Sequence, residues 1–164
     1  MTHNTGSLFS GHKSSVISHQ LVIYTDGGSR GNPGPAAIGY VIMNVELSGS
    51  TSFLAERGEY IGETTNNIAE YKAIAAALKK AKVLLGKKTA KQTEVEVRMD
   101  SELACRQLSG KYRIENEGLQ PLFFEIWNSR FDFKSVTFVH VPRSHNAKAD
   151  AMVNQALDEN FKKW

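Results

Sequence analysis

Residues 21–34 read LVIYTDGGSRGNPG. Leu21 to Thr25 is an unbroken β-prone run, the pattern of a central strand buried on both faces. Asp26-Gly27-Gly28 is expected to break the strand, and Gly31-Asn32-Pro33-Gly34 to extend the turn. An acid thus stands where a buried strand ends, beside backbone that carries no side chains.

Working outward, Ala37 to Met43 reads as a second strand and Ser52 to Ile61 as a third, more exposed one. The short connection between them favours antiparallel pairing. Asn67 to Leu85 is expected to be a long helix, because Ile68, Tyr71, Ile74, Ala75, Leu78, Ala81 and Leu85 recur at helical spacing, and Gly86 supplies a stop. Glu94 to Met99 alternates as a strand. Helices are expected over Ser101–Ser109 and about Gly118–Arg130, then a fifth strand over Ser135–Val141 ended by Pro142. Asn146 is expected to cap a last helix reaching about Phe161. The order βββαβααβα predicts an α/β (mixed α+β) fold, a mixed sheet with helices on its faces.

At 164 residues with 41% hydrophobic side chains, the chain suffices for one domain with a core. Residues 1–19 are polar, without a period, and are read as a disordered leader; 20–164 are read as the single domain. No run approaches a membrane span, and no secretory segment is evident. The single cysteine excludes an intrachain disulfide and suits a reducing compartment, so a cytoplasmic location is expected. A monomer is expected. The net charge of +3 permits nucleic-acid binding without demanding it.

Four acids stand in distinctive neighbourhoods: Asp26 in TDGGSRGNPG, Glu70 in TTNNIAEYKA, Asp100 in RMDSELACRQL and Asp150 in HNAKADAMVNQA. Each has a plain structural reading. Asp26 could form a turn, Glu70 could complete a helix cap with Asn67, Asp100 could cap the helix that follows, and Asp150 could complement a helix dipole. If the fold gathers them, they cannot stand bare. Two carboxylates ~4 Å apart repel by roughly 4 kcal/mol at an effective dielectric of about 20. Protons or divalent cations must neutralise them, and oxygen-only ligands suit Mg²⁺ or Mn²⁺.

The four neighbourhoods, in this order, resemble the type 1 ribonuclease H family over about residues 20–157. The variant without a basic handle, similar to archaeal and some bacterial members, is the nearest likeness. The resemblance implies a five-stranded sheet of order 3-2-1-4-5 and a metal-dependent endonuclease. It would cut the RNA strand of RNA/DNA hybrids, leaving 5′-phosphate and 3′-hydroxyl ends. It implies two Mg²⁺ ions per site during catalysis, with Mn²⁺ able to substitute. Asp26 would bridge both ions, Glu70 and Asp100 would complete one site, and Asp150 the other. It further implies substrate contacts from Ser29, Asn32, Asn66 and Asn67, and a loop histidine, here His145, in proton transfer or product release. A nuclease of double-stranded RNA and a non-catalytic hybrid-binding module are the alternatives.

Three features depart from the family pattern. Glu102 stands where many relatives have glutamine. The stretch 110–117 replaces the basic handle, with Lys111 and Arg113 its sole cations. His145 lies only five residues before Asp150. Lys79, Lys80, Lys82, Lys87, Lys88 and Lys91 could grip phosphates, though a solvated helix end is the plainer reading. His140, sharing a strand face with Val136 and Phe138, is expected to be structural, and Arg143 is a further candidate for phosphate.

Overall fold

The computed structural model describes residues 19–163. Strand β1 (His19–Ser29) occupies the middle of a five-stranded sheet of order β3-β2-β1-β4-β5. It pairs antiparallel with β2 (Gly34–Val45), which pairs antiparallel with β3 (Thr51–Thr64). On its other side it pairs in parallel with β4 (Thr93–Met99), which carries β5 (Ser135–His140) in parallel at the edge. The expected mixed sheet and strand order are therefore found. The leader assigned to residues 1–19 lies outside the described residues except for His19, which already belongs to β1.

Asp26-Gly27-Gly28 does not break β1. The strand runs on to Ser29, with Asp26 opposite Gly39 and Gly28 opposite Ala37. What stops is its parallel neighbour, because the last β1–β4 pair is Thr25 with Met99. Asp26 thus lies just past the end of the parallel ladder while still held rigidly by β2. Asp100 follows directly on β4.

Helix α1 (Asn66–Leu85) packs Tyr71, Ile74 and Leu78 on Leu21, Ile23 and Ile42 of the sheet. Thr65 caps it, accepting a hydrogen bond from the Ile68 amide at 3.3 Å, so Glu70 has no part in the cap. A short helix α2 (Lys87–Lys91), not foreseen, follows Gly86. Helices α3 (Glu102–Leu108) and α4 (Gln120–Ser129) complete the same face, contributing Ala104, Leu108 and Ile126 to the core. Ser101, rather than Asp100, caps α3, accepting from the Ala104 amide at 3.2 Å. Single 3₁₀ turns, Arg130–Asp132 and Arg143–His145, flank β5.

Helix α5 (Ala147–Phe161) covers the opposite face with Val153, Ala156 and Leu157 against Ala37. Asn146 occupies its N-cap position but makes no capping bond. Its side chain is turned inward instead, donating to the Thr25 carbonyl at 2.9 Å. His140, expected to be structural, is exposed at the end of β5. Among the described residues, no helix is long and apolar enough to cross a membrane.

Candidate active site

Two glycines let helices touch the sheet where the acids stand. A Cβ on Gly27 would lie 2.2 Å from the Ala69 carbonyl carbon and 2.4 Å from the Glu70 nitrogen. Real Cβ atoms do not come so close, so only glycine lets the first turn of α1 rest on β1 and set Glu70 beside Asp26. A Cβ on Gly39 would lie 2.4 Å from the Ala149 carbonyl oxygen. That close approach seats the first turn of α5 on β2 and brings Asp150 to the same place. Asp100 arrives on the loop from β4 to α3.

The result is one cleft of about 260 Å³ whose walls include Asp26, Glu70, Asp100 and Asp150. The carboxyl of Asp26 is held well above the ordinary carboxylate range. Desolvation is the main cause, followed by the charges of Asp100 and Asp150. Glu70 is pushed up to about 7, again mainly by desolvation and then by Asp100; the Ser101 hydroxyl and the Arg143 charge oppose the rise. Among the described residues, no three acidic, imidazole or thiol side chains stand ready as a closed ligand cage. The donor set nevertheless fits a hard divalent cation: oxygen atoms only, two of the acids destabilised as anions, in an open cleft.

Ser29 and Asn66 line the same cleft, and a hydrogen-bonded network orients the loop after β1. The Ser29 amide and hydroxyl donate to Asn66 Oδ1, at 2.8 and 3.2 Å. The Asn66 amide, one of the open donors of the α1 N-terminus, bonds Asn32 Oδ1 at 3.1 Å. Both side-chain oxygens are occupied by N–H or O–H donors, which fixes the orientation of each amide. Their Nδ2 groups remain as outward donors. Asn67 is half-buried on the first turn of α1 and is not part of the cleft wall.

His145 is exposed and lines a different cavity of about 600 Å³, with Val22, Tyr24 and Arg98. The turn that carries it instead presents Arg143 to the acids. Sequence reasoning had noted Arg143 as a candidate and had missed two other residues. Ser101 joins Glu70 to the cap of α3, and its position in the Asp100-Ser101 pair was the available signal. Asn146 reaches Thr25 within β1, 121 positions away, and no local pattern announces that.

Glu102 is paired with Arg106 at 2.6 Å, so its charge is partly offset. The stretch 110–117 is pinned to α3: the Lys111 and Tyr112 amides bond the Arg106 carbonyl, and Gln107 reaches the Arg113 carbonyl. In the lysine-rich stretch, Lys82 pairs with Asp132 at 2.9 Å and Lys91 donates to the Phe131 carbonyl. By helical rise, Lys82 stands roughly 18 Å along α1 from Glu70, which favours the solvated-end reading.

The family model described as reverse transcriptase-like matches residues 24–156. Over 136 residues the chain is 40% identical to ribonuclease HI of Halobacterium salinarum, covering 83% of this chain and 63% of that protein. It is 40% identical over 139 residues to a bifunctional protein of Mycobacterium tuberculosis, of which it spans 36% of the length. Among solved structures, a ribonuclease H1 isolated from compost by a metagenomic approach superposes with a TM-score of 0.77 at 46% identity, covering 88% of this chain and 99% of that one. That protein has also been solved in complex with an RNA/DNA hybrid. The strand order, the shared cleft of four acids and this likeness across nearly the whole described chain agree: the protein belongs to the type 1 ribonuclease H family.

Proposed function

We propose that the protein is an endoribonuclease that hydrolyses the RNA strand of RNA/DNA hybrids, and that residues 20–164 form its catalytic unit. The gathering of Asp26, Glu70, Asp100 and Asp150 on one cleft carries this reading. Asp26, Glu70, Asp100 and Asp150 would together hold the two Mg²⁺ ions that the resemblance implies. When bound, the ions supply activation of the attacking water and stabilisation of the leaving 3′ oxygen. Mn²⁺ shares the preference for oxygen ligands and is expected to substitute.

The chain's own groups do the positioning. Asn66 and Asn32 offer amide donors held by the Ser29 network, suited to ribose 2′-oxygens in a shallow minor groove. Gly27 and Gly28 leave the backbone beside Asp26 open to close approach. Arg143 stands at the cleft wall, where it can meet a phosphate. His145 lines a neighbouring cavity rather than the cleft wall, so the cleft geometry adds no support to the role the resemblance implies for it. The hybrid complex of the compost relative supports the choice of substrate. A cytoplasmic monomer is proposed from the single cysteine and the self-contained sheet.

The test is cleavage of a labelled RNA/DNA hybrid beside matching RNA/RNA and DNA/DNA duplexes, with Mg²⁺ or with EDTA. We expect the hybrid's RNA alone to be cut, only with metal, and Asp100→Asn to lower the rate on the order of a thousandfold or more. Equal cutting of RNA/RNA would move the assignment to a double-stranded RNA nuclease. Binding of the hybrid without any cutting would make the chain a binding module.

A further inference from the structure

We propose that Asn146 is a positioning residue that sets where Asp150 stands against Asp26, and so shapes the site for the second cation; this rests on the reading of the four acids as cation ligands. Asn146 is 1% exposed, which is unusual for an amide at the start of a surface helix. It could have capped α5 with its side-chain oxygen, as asparagine commonly does, yet no such bond forms. Its Nδ2 instead donates to the Thr25 carbonyl at 2.9 Å, just where β1 loses its parallel neighbour. Its own carbonyl accepts the Asp150 amide at 3.1 Å. One residue therefore joins the backbone preceding Asp26 to the turn that carries Asp150.

The other half of the amide argues that this tether is what the position requires. Asn146 Oδ1 is buried and has no partner among the described residues. A buried acceptor without a partner is unfavourable, and an apolar side chain of the same volume would avoid that loss. The unpaired oxygen therefore gives no reason for an amide here. The donor to Thr25 does, and it acts on the spacing of two acids that line one cleft.

The test uses the whole chain with Asn146→Leu, which keeps the volume, and Asn146→Ser, which is smaller and polar. Three readouts are taken: Mn²⁺ binding, by counting free Mn²⁺ with electron paramagnetic resonance; the metal-free unfolding midpoint; and KM against kcat for a hybrid over a range of Mg²⁺. We expect the weakest Mn²⁺ site to lose about 10–100-fold in affinity, the usual effect of removing a group that orients a ligand. The unfolding midpoint of Asn146→Leu should fall only modestly, for the Thr25 carbonyl left without its donor, while KM stays near wild type and raised Mg²⁺ restores kcat. Wild-type Mn²⁺ affinity in both variants overturns the inference. So does loss of folding in both, or a kcat that falls with the midpoint and is not restored by Mg²⁺, since each assigns Asn146 to stability. A wild-type chain that binds no Mn²⁺ would sink the reading of the acids first, and this inference with it.

Discussion

Asp26 shows what the cleft demands of a single residue. Burial and the neighbouring acids raise its carboxyl, and Glu70 is raised to about 7. A raised carboxyl means that the folded chain holds protons which the unfolded chain releases once pH exceeds the ordinary carboxylate value near 4. Stability from these groups is therefore present at low pH and lost as pH rises through 7 and beyond. In EDTA, the melting temperature should fall between pH 5 and pH 9. Added Mg²⁺ should raise it most at the alkaline end, by about 2.7 kcal/mol at a hundred times the Kd, or roughly 5–10 °C. Calorimetry across that range checks both signs; a flat metal-free profile would contradict the cause given for the shifts. Asn66 offers a cleaner separation of roles. Asn66→Asp keeps an oxygen for Ser29 but removes the outward donor, so the loop should hold while KM for the hybrid rises about tenfold or more. At this scale the sequence is informative where a residue's neighbours in the chain mark it, as they mark the four acids that the fold brings to one cleft. It reads Asn146 as a cap and does not show its bond to Thr25, because that contact joins segments 121 positions apart.

Elements matter here for where they let acids meet. Helix α1 rests on Gly27 through Ala69 and Glu70. Gly27→Ala should push its first turn off β1, costing about 1–3 kcal/mol of stability by overpacking. The displaced Glu70 should lower kcat on the order of a hundredfold. Thr65→Ala is the control: loss of the cap should cost about 1 kcal/mol while kcat holds. Denaturant midpoints and single-turnover rates for the pair separate helix stability from helix placement. The helical periodicity that predicted α1 reflects burial against the sheet, and burial is what period patterns record. The glycines of β1 were misread as a break for the same reason. Local propensity sees missing side chains, whereas the strand continues because α1 and β2 need backbone there. Helix α2 was missed because Lys87 to Lys91 is a single short turn with only Ala90 buried.

Among the described residues, the cleft wall carries two cations, Arg30 and Arg143, and Arg30 is paired with Asp158. The stretch in place of the handle is pinned to α3, and Lys82 and Lys91 are engaged far from the cleft. If three or four phosphates are met by cations, the plot of log affinity against log salt should have a slope of about −3. A slope steeper than about −6 would mean that the lysine-rich end reaches the duplex after all. The most direct test concerns the ends of the cut RNA, because they record which oxygen attacked. Cleavage of an end-labelled RNA/DNA hybrid in Mg²⁺, with the fragments resolved by mass, should give a 5′-phosphate and a free 3′-hydroxyl, the products of water attacking at the four-acid cleft. A 5′-hydroxyl with a 2′,3′-cyclic phosphate would show that the neighbouring ribose had attacked instead, and would contradict the role given to Asp26, Glu70, Asp100 and Asp150.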